Sequence, residues 1–191
     1  FDGQRPNIIY AGIGRPRWNK GGAGAIYRSD DTGVTWRLVS AGHLPADAVV
    51  RDIEVHPRDS QNILAATQHG VYRSDDEGKS WAAASQGLPH QDVEELAFAP
   101  SSPEVVYASL RTTARDGKPF NGGVCRSDDG GRTWKAVNGP GMPNRVGRSN
   151  ESRYMSSQIK NLVVDPRNPD VVYAGGQCWV TAGVYKSEDG G

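Results

Sequence analysis

Pairs of adjacent aspartates recur along the chain, and paired carboxylates are residues that can bind a metal ion or perform acid–base chemistry. The pairs are Asp30/Asp31, Asp75/Asp76 and Asp128/Asp129. Each pair follows a Ser and precedes the pattern x-Gly-x-Thr/Ser-Trp. Asp side chains accept hydrogen bonds from nearby backbone amides, and Gly takes a positive φ without steric strain. The repeated surroundings therefore favour a turn-forming role for these carboxylates over a metal-binding or catalytic one.

This stretch, the box turn, joins two predicted strands. Its Ser stands at positions 29, 74, 127 and 187, so successive copies are 45, 53 and 60 residues apart. Repeats of about 40 to 50 residues are typical of four-stranded propeller blades. The fourth copy has Ser, Asp and Gly without the Thr-Trp. The residues assigned to a structural role in these turns are Ser29, Asp31, Gly33, Trp36, Ser74, Asp76, Gly78, Trp81, Ser127, Asp129, Gly131, Trp134, Ser187 and Asp189.

A Pro-rich turn between two further strands precedes each box turn, as in the segments at 55–65, 98–108 and 164–175. Pro ends a strand because it cannot donate to the ladder. We therefore predict an all-β chain forming one partial β-propeller over residues 1–191, with blades at about 5–40, 50–86, 93–138 and 159–191. Two blades are complete and two have three strands each. Open sheet edges invite pairing, so we expect further blades of a longer chain, or another subunit, to cover them.

The pattern Ser-x-Asp-x-Gly-x-Thr-Trp resembles the Asp box, or BNR repeat. The whole chain resembles the propellers of sortilin, of photosystem II assembly factors and of xyloglucan-type hydrolases, the last especially over Asp165–Gly175. The resemblance implies that the box turns lie on the outer edge of a β-propeller, away from any ligand. Sialidases share the box as well, but the Arg-Ile-Pro stretch typical of them is absent. A shared fold does not define a shared function.

Insertions fall in the loops on the side opposite to the box turns, which we call the loop face. These loops combine basic and aromatic residues, which are favoured at recognition surfaces. We predict that the loop face binds the ligand. The candidate residues are Arg15, Arg17, Trp18, Arg111, Arg115, Lys118, Arg145, Arg148, Arg153, Tyr154 and Trp179.

Composition adds few constraints. Lys plus Arg and Asp plus Glu are 22 each, so net charge does not suggest nucleic-acid binding. No apolar run reaches membrane-spanning length, and we expect no direct membrane insertion. We predict no cofactor and no metal.

Cys125 replaces a Tyr of the other copies and is expected to be a small buried apolar residue, while the question of a disulfide to Cys178 stays open. The first residue is Phe1, which fits a processed chain or a piece of one, outside the cell or in the periplasm.

These observations lead to three functional hypotheses. The first is a non-catalytic secreted or periplasmic module for binding or assembly, whose loop face recognises an acidic protein surface or a glycan. The second is a glycoside hydrolase, xyloglucanase-like or sialidase-like, with part of its active site elsewhere. Such an enzyme needs two carboxylates on either side of the scissile bond, for which Asp47, Asp92 and Asp116 qualify by loop position alone. The third is a structural subunit of an extracellular assembly.

Overall fold

The computed structural model describes residues 1–14, 24–111, 113–115, 118–120, 122–139, 158–177 and 182–191. The described residues form strands and turns, with every strand pair antiparallel. The strands are β1 Ile9–Ile13, β2 Ala25–Ser29, β3 Arg37–Leu38, β4 Val50–Val55, β5 Ile63–Thr67, β6 Gly70–Ser74, β7 Ala82–Ala83, β8 Val93–Phe98, β9 Val106–Leu110, β10 Thr113–Arg115, β11 Lys118–Phe120, β12 Gly123–Ser127, β13 Lys135–Ala136, β14 Gln158–Val164, β15 Val172–Gln177 and β16 Ala182–Ser187.

Four sheets follow one another along the chain, in the strand orders β1-β2-β3, β4-β5-β6-β7, β8-β9-β12-β13 and β14-β15-β16. Neighbouring strands within each sheet are mostly consecutive in sequence, as in a propeller blade. The prediction of an all-β partial propeller, with two four-stranded and two three-stranded blades, is confirmed. No helix in the part of the chain that the structure describes is long and apolar enough to cross a membrane.

The core consists of apolar layers between successive sheets. One cluster joins the first two sheets through residues such as Ile26 and Ile63. A second, with Leu64 and Leu96, joins the second and third sheets, and a third, with Tyr107 and Leu162, joins the third and fourth. The strands β5, β6 and β9 in the middle of the second and third sheets are buried on both faces for this reason.

Cys125 belongs to the cluster between the second and third sheets and is a buried free thiol. Burial raises the pKa of this thiol to about 12. Cys125 therefore packs as a small apolar residue at neutral pH, whereas Cys178 lies outside the described residues.

One element was not predicted from the sequence. The stretch between Leu110 and Gly123 was expected to be a loop, yet it contains the two-stranded sheet β10-β11. The register pairs Thr113 with Phe120 and Arg115 with Lys118. In a short hairpin of this kind, the backbone groups of a loop pair with one another. Such pairing does not require alternating apolar residues, so the sequence carries little signal for it.

The box turns are closed by their own side chains. In the first, Ser29 Oγ donates to Asp31 Oδ1 at 2.8 Å and accepts from the amide of Gly33 at 2.8 Å. Asp31 in turn accepts from the amide and the hydroxyl of Thr35, at 2.8 and 2.6 Å. Hydrogen bonds from Thr35 and then from Ser29 lower the pKa of Asp31 to about 2. The carboxylates therefore hold the turn in the ionised form.

Candidate functional site

The loop face is the end of the second, third and fourth sheets at which their first strands begin, and the end of the first sheet at which β1 pairs Ile13 with Ala25. In the second sheet, Val50 pairs with Thr67 and Thr67 with Gly70, so the turn between β5 and β6 lies at this end. Ser74, which starts the box turn, pairs with Ile63 at the opposite end. The box turns and the loop face are therefore separated by the full length of the strands.

The first strands of three sheets share a β-bulge near the loop face. The register shifts between Val50 and Asp52 in β4, between Val93 and Glu95 in β8, and between Ile159 and Asn161 in β14. The extra residues are therefore Arg51, Glu94 and Lys160. A bulge redirects side chains and is frequent beside functional sites. Here it places a charged residue at the same point of three neighbouring blades.

An ion-pair network joins the bulges of β4 and β8. Arg51 Nη1 donates to Asp92 and to the carbonyl of Val93, while Arg51 Nε lies 3.6 Å from Glu94 Oε2. Arg111 Nη1 lies 3.5 Å from the same oxygen of Glu94. The four charged side chains are partly shielded, with exposed fractions of 14 to 26%. The network therefore presents fixed donors and acceptors at the loop face.

Three carboxyls on β4 and β8, which we call the carboxyl cluster, lie near one another: Asp52 and Glu95 directly follow the bulge residues, and Glu54 lies two residues further along β4. Asp52 Oδ2 accepts a 2.8 Å hydrogen bond from the amide of Leu96 in the next sheet. Glu95 accepts from the amide of Leu162 in the sheet after that. The residue that follows the bulge thus connects each of these sheets to the next.

The carboxyl cluster holds protons more strongly than ordinary carboxyls. Burial raises the pKa of Glu54 to about 8, and the nearby charge of Asp52 adds to this effect. Burial likewise raises the pKa of Glu95 to about 7, although the hydrogen bond from Leu162 opposes the shift, and it also raises the pKa of Asp52. Such groups can donate a proton near neutral pH, which is the property required of a general acid.

The structure describes only three of the residues that the sequence analysis predicted to bind the ligand. Arg111 lies in the ion-pair network. Arg115 and Lys118 are paired in the backbone register of β10 and β11. The remaining candidates lie outside the described residues: Arg15, Arg17, Trp18, Arg145, Arg148, Arg153, Tyr154 and Trp179. The structure therefore places one predicted arginine, Arg111, in the ion-pair network. That these candidate residues bind a ligand stays a prediction.

The loop-position carboxylates have specific partners. Asp92 pairs with Arg51, and Asp47 Oδ1 lies 2.8 Å from His69 Nε2. The carbonyl of Asp47 also accepts from Gln68 Nε2, which ties the turn after β5 to the connection between two blades. Asp116 lies outside the described residues. Asp47 and Asp92 are thus each paired with a neighbouring side chain, and a catalytic role for either stays a prediction.

Sequence reasoning missed Arg51, Asp52, Glu54, Glu94 and Glu95. A signal was present, since Arg51-Asp52-Ile53-Glu54 and Glu94-Glu95-Leu96 place charges inside segments that were predicted to be strands of a packed blade. Charged residues are seldom buried unless they are paired. Their presence in such strands pointed to a polar site.

Comparisons with known proteins agree with this architecture. The family model described as Sortilin, neurotensin receptor 3 (Sortilin-Vps10) matches residues 24–140, which is more than half of the chain. A xyloglucanase of Hypocrea jecorina (strain QM6a) is 29% identical over 163 residues, covering 82% of this chain and 18% of that protein. A xyloglucanase of Paenibacillus sp. is 32% identical over 99 residues, covering 52% of this chain and 9% of that protein. The chain thus spans less than a fifth of the length of both relatives.

Solved structures give the same picture. An ancestral GH74 enzyme superimposes with a TM-score of 0.66 at 21% identity, covering 100% of this chain and 22% of the other. The Niastella koreensis GH74 enzyme gives 0.59 at 20% identity, with 98% and 36% coverage. YCF48 from Cyanidioschyzon merolae gives 0.53 at 16% identity, with 78% and 39% coverage. At these identities the likeness establishes the β-propeller fold.

Proposed function

This chain belongs to the Sortilin-Vps10 family, and we propose that it forms part of a carbohydrate-active β-propeller that binds a xyloglucan-type polysaccharide across its loop face. The proposal rests on the observation that the two relatives described above are xyloglucanases, one of them similar over 82% of the chain. Both glycoside hydrolysis and glycan binding were hypotheses drawn from the sequence. The similarity supports the glycoside hydrolase alternative, and a purely non-catalytic module stays a prediction.

The ion-pair network has the chemistry that sugar recognition requires. A sugar hydroxyl both donates and accepts hydrogen bonds, so a site that alternates guanidinium donors with carboxylate acceptors satisfies both. Arg51 and Arg111 supply donors, and the partly exposed carboxylate of Asp92 supplies an acceptor beside them, while the Glu94 oxygen that faces both arginines is itself buried. Because these groups are already held by one another, little side-chain freedom is lost when a sugar binds.

The carboxyl cluster suits a role beside such a ligand. Glu54 and Glu95 retain protons up to about pH 8 and about pH 7, respectively. A protonated carboxyl can donate a hydrogen bond or, when placed on a glycosidic oxygen, a proton. We propose that these carboxyls line the site and donate hydrogen bonds to the bound sugar. The catalytic pair of a hydrolase stays unassigned.

An extracellular or periplasmic location accompanies this proposal. A polysaccharide is too large to cross a cell membrane unaided, so a propeller that binds one acts outside the cytoplasm. The earlier hypothesis of an acidic protein partner becomes the second candidate, and the basic side chains of the loop face are the feature that favours it.

Affinity electrophoresis in gels that contain xyloglucan, cellulose derivative or no polysaccharide tests the proposal. We expect xyloglucan to retard the chain, and Arg111→Ala to remove most of the retardation. Arg167→Ala is the matched control, because Arg167 is an exposed arginine in the Pro-rich turn at the opposite end of the fourth sheet. Equal retardation in all gels would contradict the proposal.

A further inference from the structure

A polar side chain caps the outer edge of each of the first three sheets. Each stands four residues after the Trp of the box turn. Ser40 and Ser85 accept from a backbone amide of the neighbouring strand, both at 2.9 Å. In the third sheet, Asn138 Oδ1 accepts from the amide of Val124 at 2.7 Å. The third sheet therefore has a carboxamide where the first two have a hydroxyl.

Asn138 is followed by Gly139, and an Asn-Gly pair can modify itself. The backbone nitrogen that follows an Asn can attack the carbonyl carbon of its side chain, and a side chain on the following residue hinders this attack. Gly removes the hindrance because it has no Cβ. Ser40 and Ser85 carry no amide group that could leave. Among the three caps, Asn138 alone has the groups that this reaction requires.

The surroundings of the pair leave the reacting groups accessible. Asn138 is exposed, so water and hydroxide can reach it. Among the described residues, the N–H of Gly139 donates to no acceptor that would hold it in place. A Cβ added to Gly139 would have the carbonyl carbon of Gly191 as its nearest neighbour, at 3.9 Å. An alanine can therefore replace Gly139 without a clash, which provides a conservative control.

The amide of Val124 has the position of an oxyanion-stabilising donor. When the Gly139 nitrogen adds to Cγ of Asn138, negative charge develops on Oδ1, which is the atom that accepts from Val124. A fixed backbone N–H at such an oxygen stabilises the tetrahedral intermediate. Val124 is 3% exposed, so water does not displace this donor. The hydrogen bond that caps the strand therefore also favours attack on the side chain of Asn138.

We propose that Asn138 is a self-modification site, at which the folded chain loses the side-chain amide through a cyclic imide. Hydroxide removes the amide proton of Gly139, and the nitrogen forms a bond to Cγ of Asn138. The bond from Cγ to Nδ2 then breaks, and Nδ2 leaves as ammonia after taking a proton from water. A water molecule opens the imide at one of its two carbonyl carbons. The net reaction consumes one water and releases one ammonia.

The two products affect the third sheet differently. If water breaks the new bond between nitrogen and Cγ, position 138 becomes aspartate, which keeps an oxygen acceptor for Val124 and adds a negative charge. If water breaks the original main-chain bond, the product is isoaspartate, whose main chain runs through Cγ. The acceptor is then displaced, and the shielded amide of Val124 is left without its partner. The isoaspartate form therefore weakens the pairing of β12 with the outer strand β13.

Incubation of the folded chain at pH 8, followed by peptide mass spectrometry, tests this site, and the test does not depend on the proposed function. We expect the peptide that contains residue 138 to gain the mass difference between a hydroxyl and an amino group. The second Asn-Gly pair, at 121–122, is read separately in the same digest. Gly139→Ala should slow the reaction about tenfold or more, because the added methyl group hinders the approach of the nitrogen. Asn138→Ser, which reproduces the caps of the first two sheets, should abolish the mass gain at this position and keep the melting temperature.

A free peptide that copies residues 134–142 separates the effect of the fold from that of the sequence. We expect Asn138 to react at least as fast in the folded chain as in this peptide, because the Val124 donor is present only in the folded chain. A slower reaction in the folded chain would overturn the proposal. So would the absence of a mass gain at residue 138, or equal rates for the native chain and Gly139→Ala.

Discussion

Arg28 in the first sheet donates from Nη1 to Glu77 Oε2 at 2.8 Å, across 49 positions of sequence. Glu77 belongs to the box turn of the second sheet. The equivalent Arg73 donates to the carbonyl of Gly130 in the box turn of the third sheet, and Arg126 donates to Asp170 in the fourth. Each arginine that precedes a box turn thus ties its own sheet to the next one.

Replacement of Arg28 by Met should destabilise the fold by about 2 kcal/mol, because it removes the shielded charged donor to Glu77, which then keeps only the more exposed Arg5. Urea unfolding followed by tryptophan fluorescence measures the change. Arg37→Met is the control, since Arg37 contacts Asp30 as Arg28 does but is 53% exposed, against 7% for Arg28. The control should change stability by no more than about 1 kcal/mol. Equal effects of the two substitutions would contradict the role of Arg28 in linking the first two sheets.

The box-turn tryptophans should differ in their contribution to stability. Trp81 is 6% exposed and reaches the preceding sheet, whereas Trp36 is 43% exposed and donates to Gly33 of its own turn. We expect Trp81→Ala to destabilise by about 3 to 5 kcal/mol, as for large buried side chains, and Trp36→Ala by much less. Thermal unfolding of both variants checks this. A larger loss of stability for Trp36→Ala than for Trp81→Ala would contradict the idea that the box-turn tryptophans stabilise the fold mainly by packing against the preceding sheet.

The carboxyl cluster should make stability fall as pH rises. Burial raises the pKa of Glu54 to about 8, above its ordinary value of 4.5. Between these two values the folded state binds the proton and the unfolded state does not, so stability declines with rising pH and levels off above about pH 8. Glu54→Gln, which mimics the protonated carboxyl, should flatten this decline. Urea midpoints from pH 5 to 9 provide the measurement, and parallel profiles for both proteins would argue against a buried protonated Glu54.

The box turns should act in the opposite direction at acid pH. Burial opposes ionisation of Asp129, but hydrogen bonds from Thr133 and Ser127 outweigh it and lower the pKa to about 2, from 3.8. The stabilisation is therefore complete above about pH 4 and is lost as pH falls through about 2. Asp129→Asn should reduce stability at pH 6 and weaken its dependence on pH between 4 and 2. An unchanged acid limb would show that this carboxylate does not contribute.

The sequence predicted the propeller because the box turns and Pro-rich turns are local patterns, readable from spacing alone. Arg28 looked like an ordinary polar strand residue, and its partner Glu77 could be identified only once the second sheet was in place. Asp52 and Glu95 were missed for a related reason, since each bonds to an amide of the following sheet. The β10-β11 hairpin carries too little apolar pattern to be distinguished from a loop.

The most direct test of the account is hydrogen–deuterium exchange of the chain with and without xyloglucan oligosaccharides. Binding at the loop face predicts slower exchange in the segments that carry the ion-pair network, 50–52, 92–96 and 110–111. The box turns at 75–80 and 128–133 should exchange at unchanged rates. Protection confined to the box turns, or no protection at saturating oligosaccharide, would contradict the assignment of the loop face as the polysaccharide site.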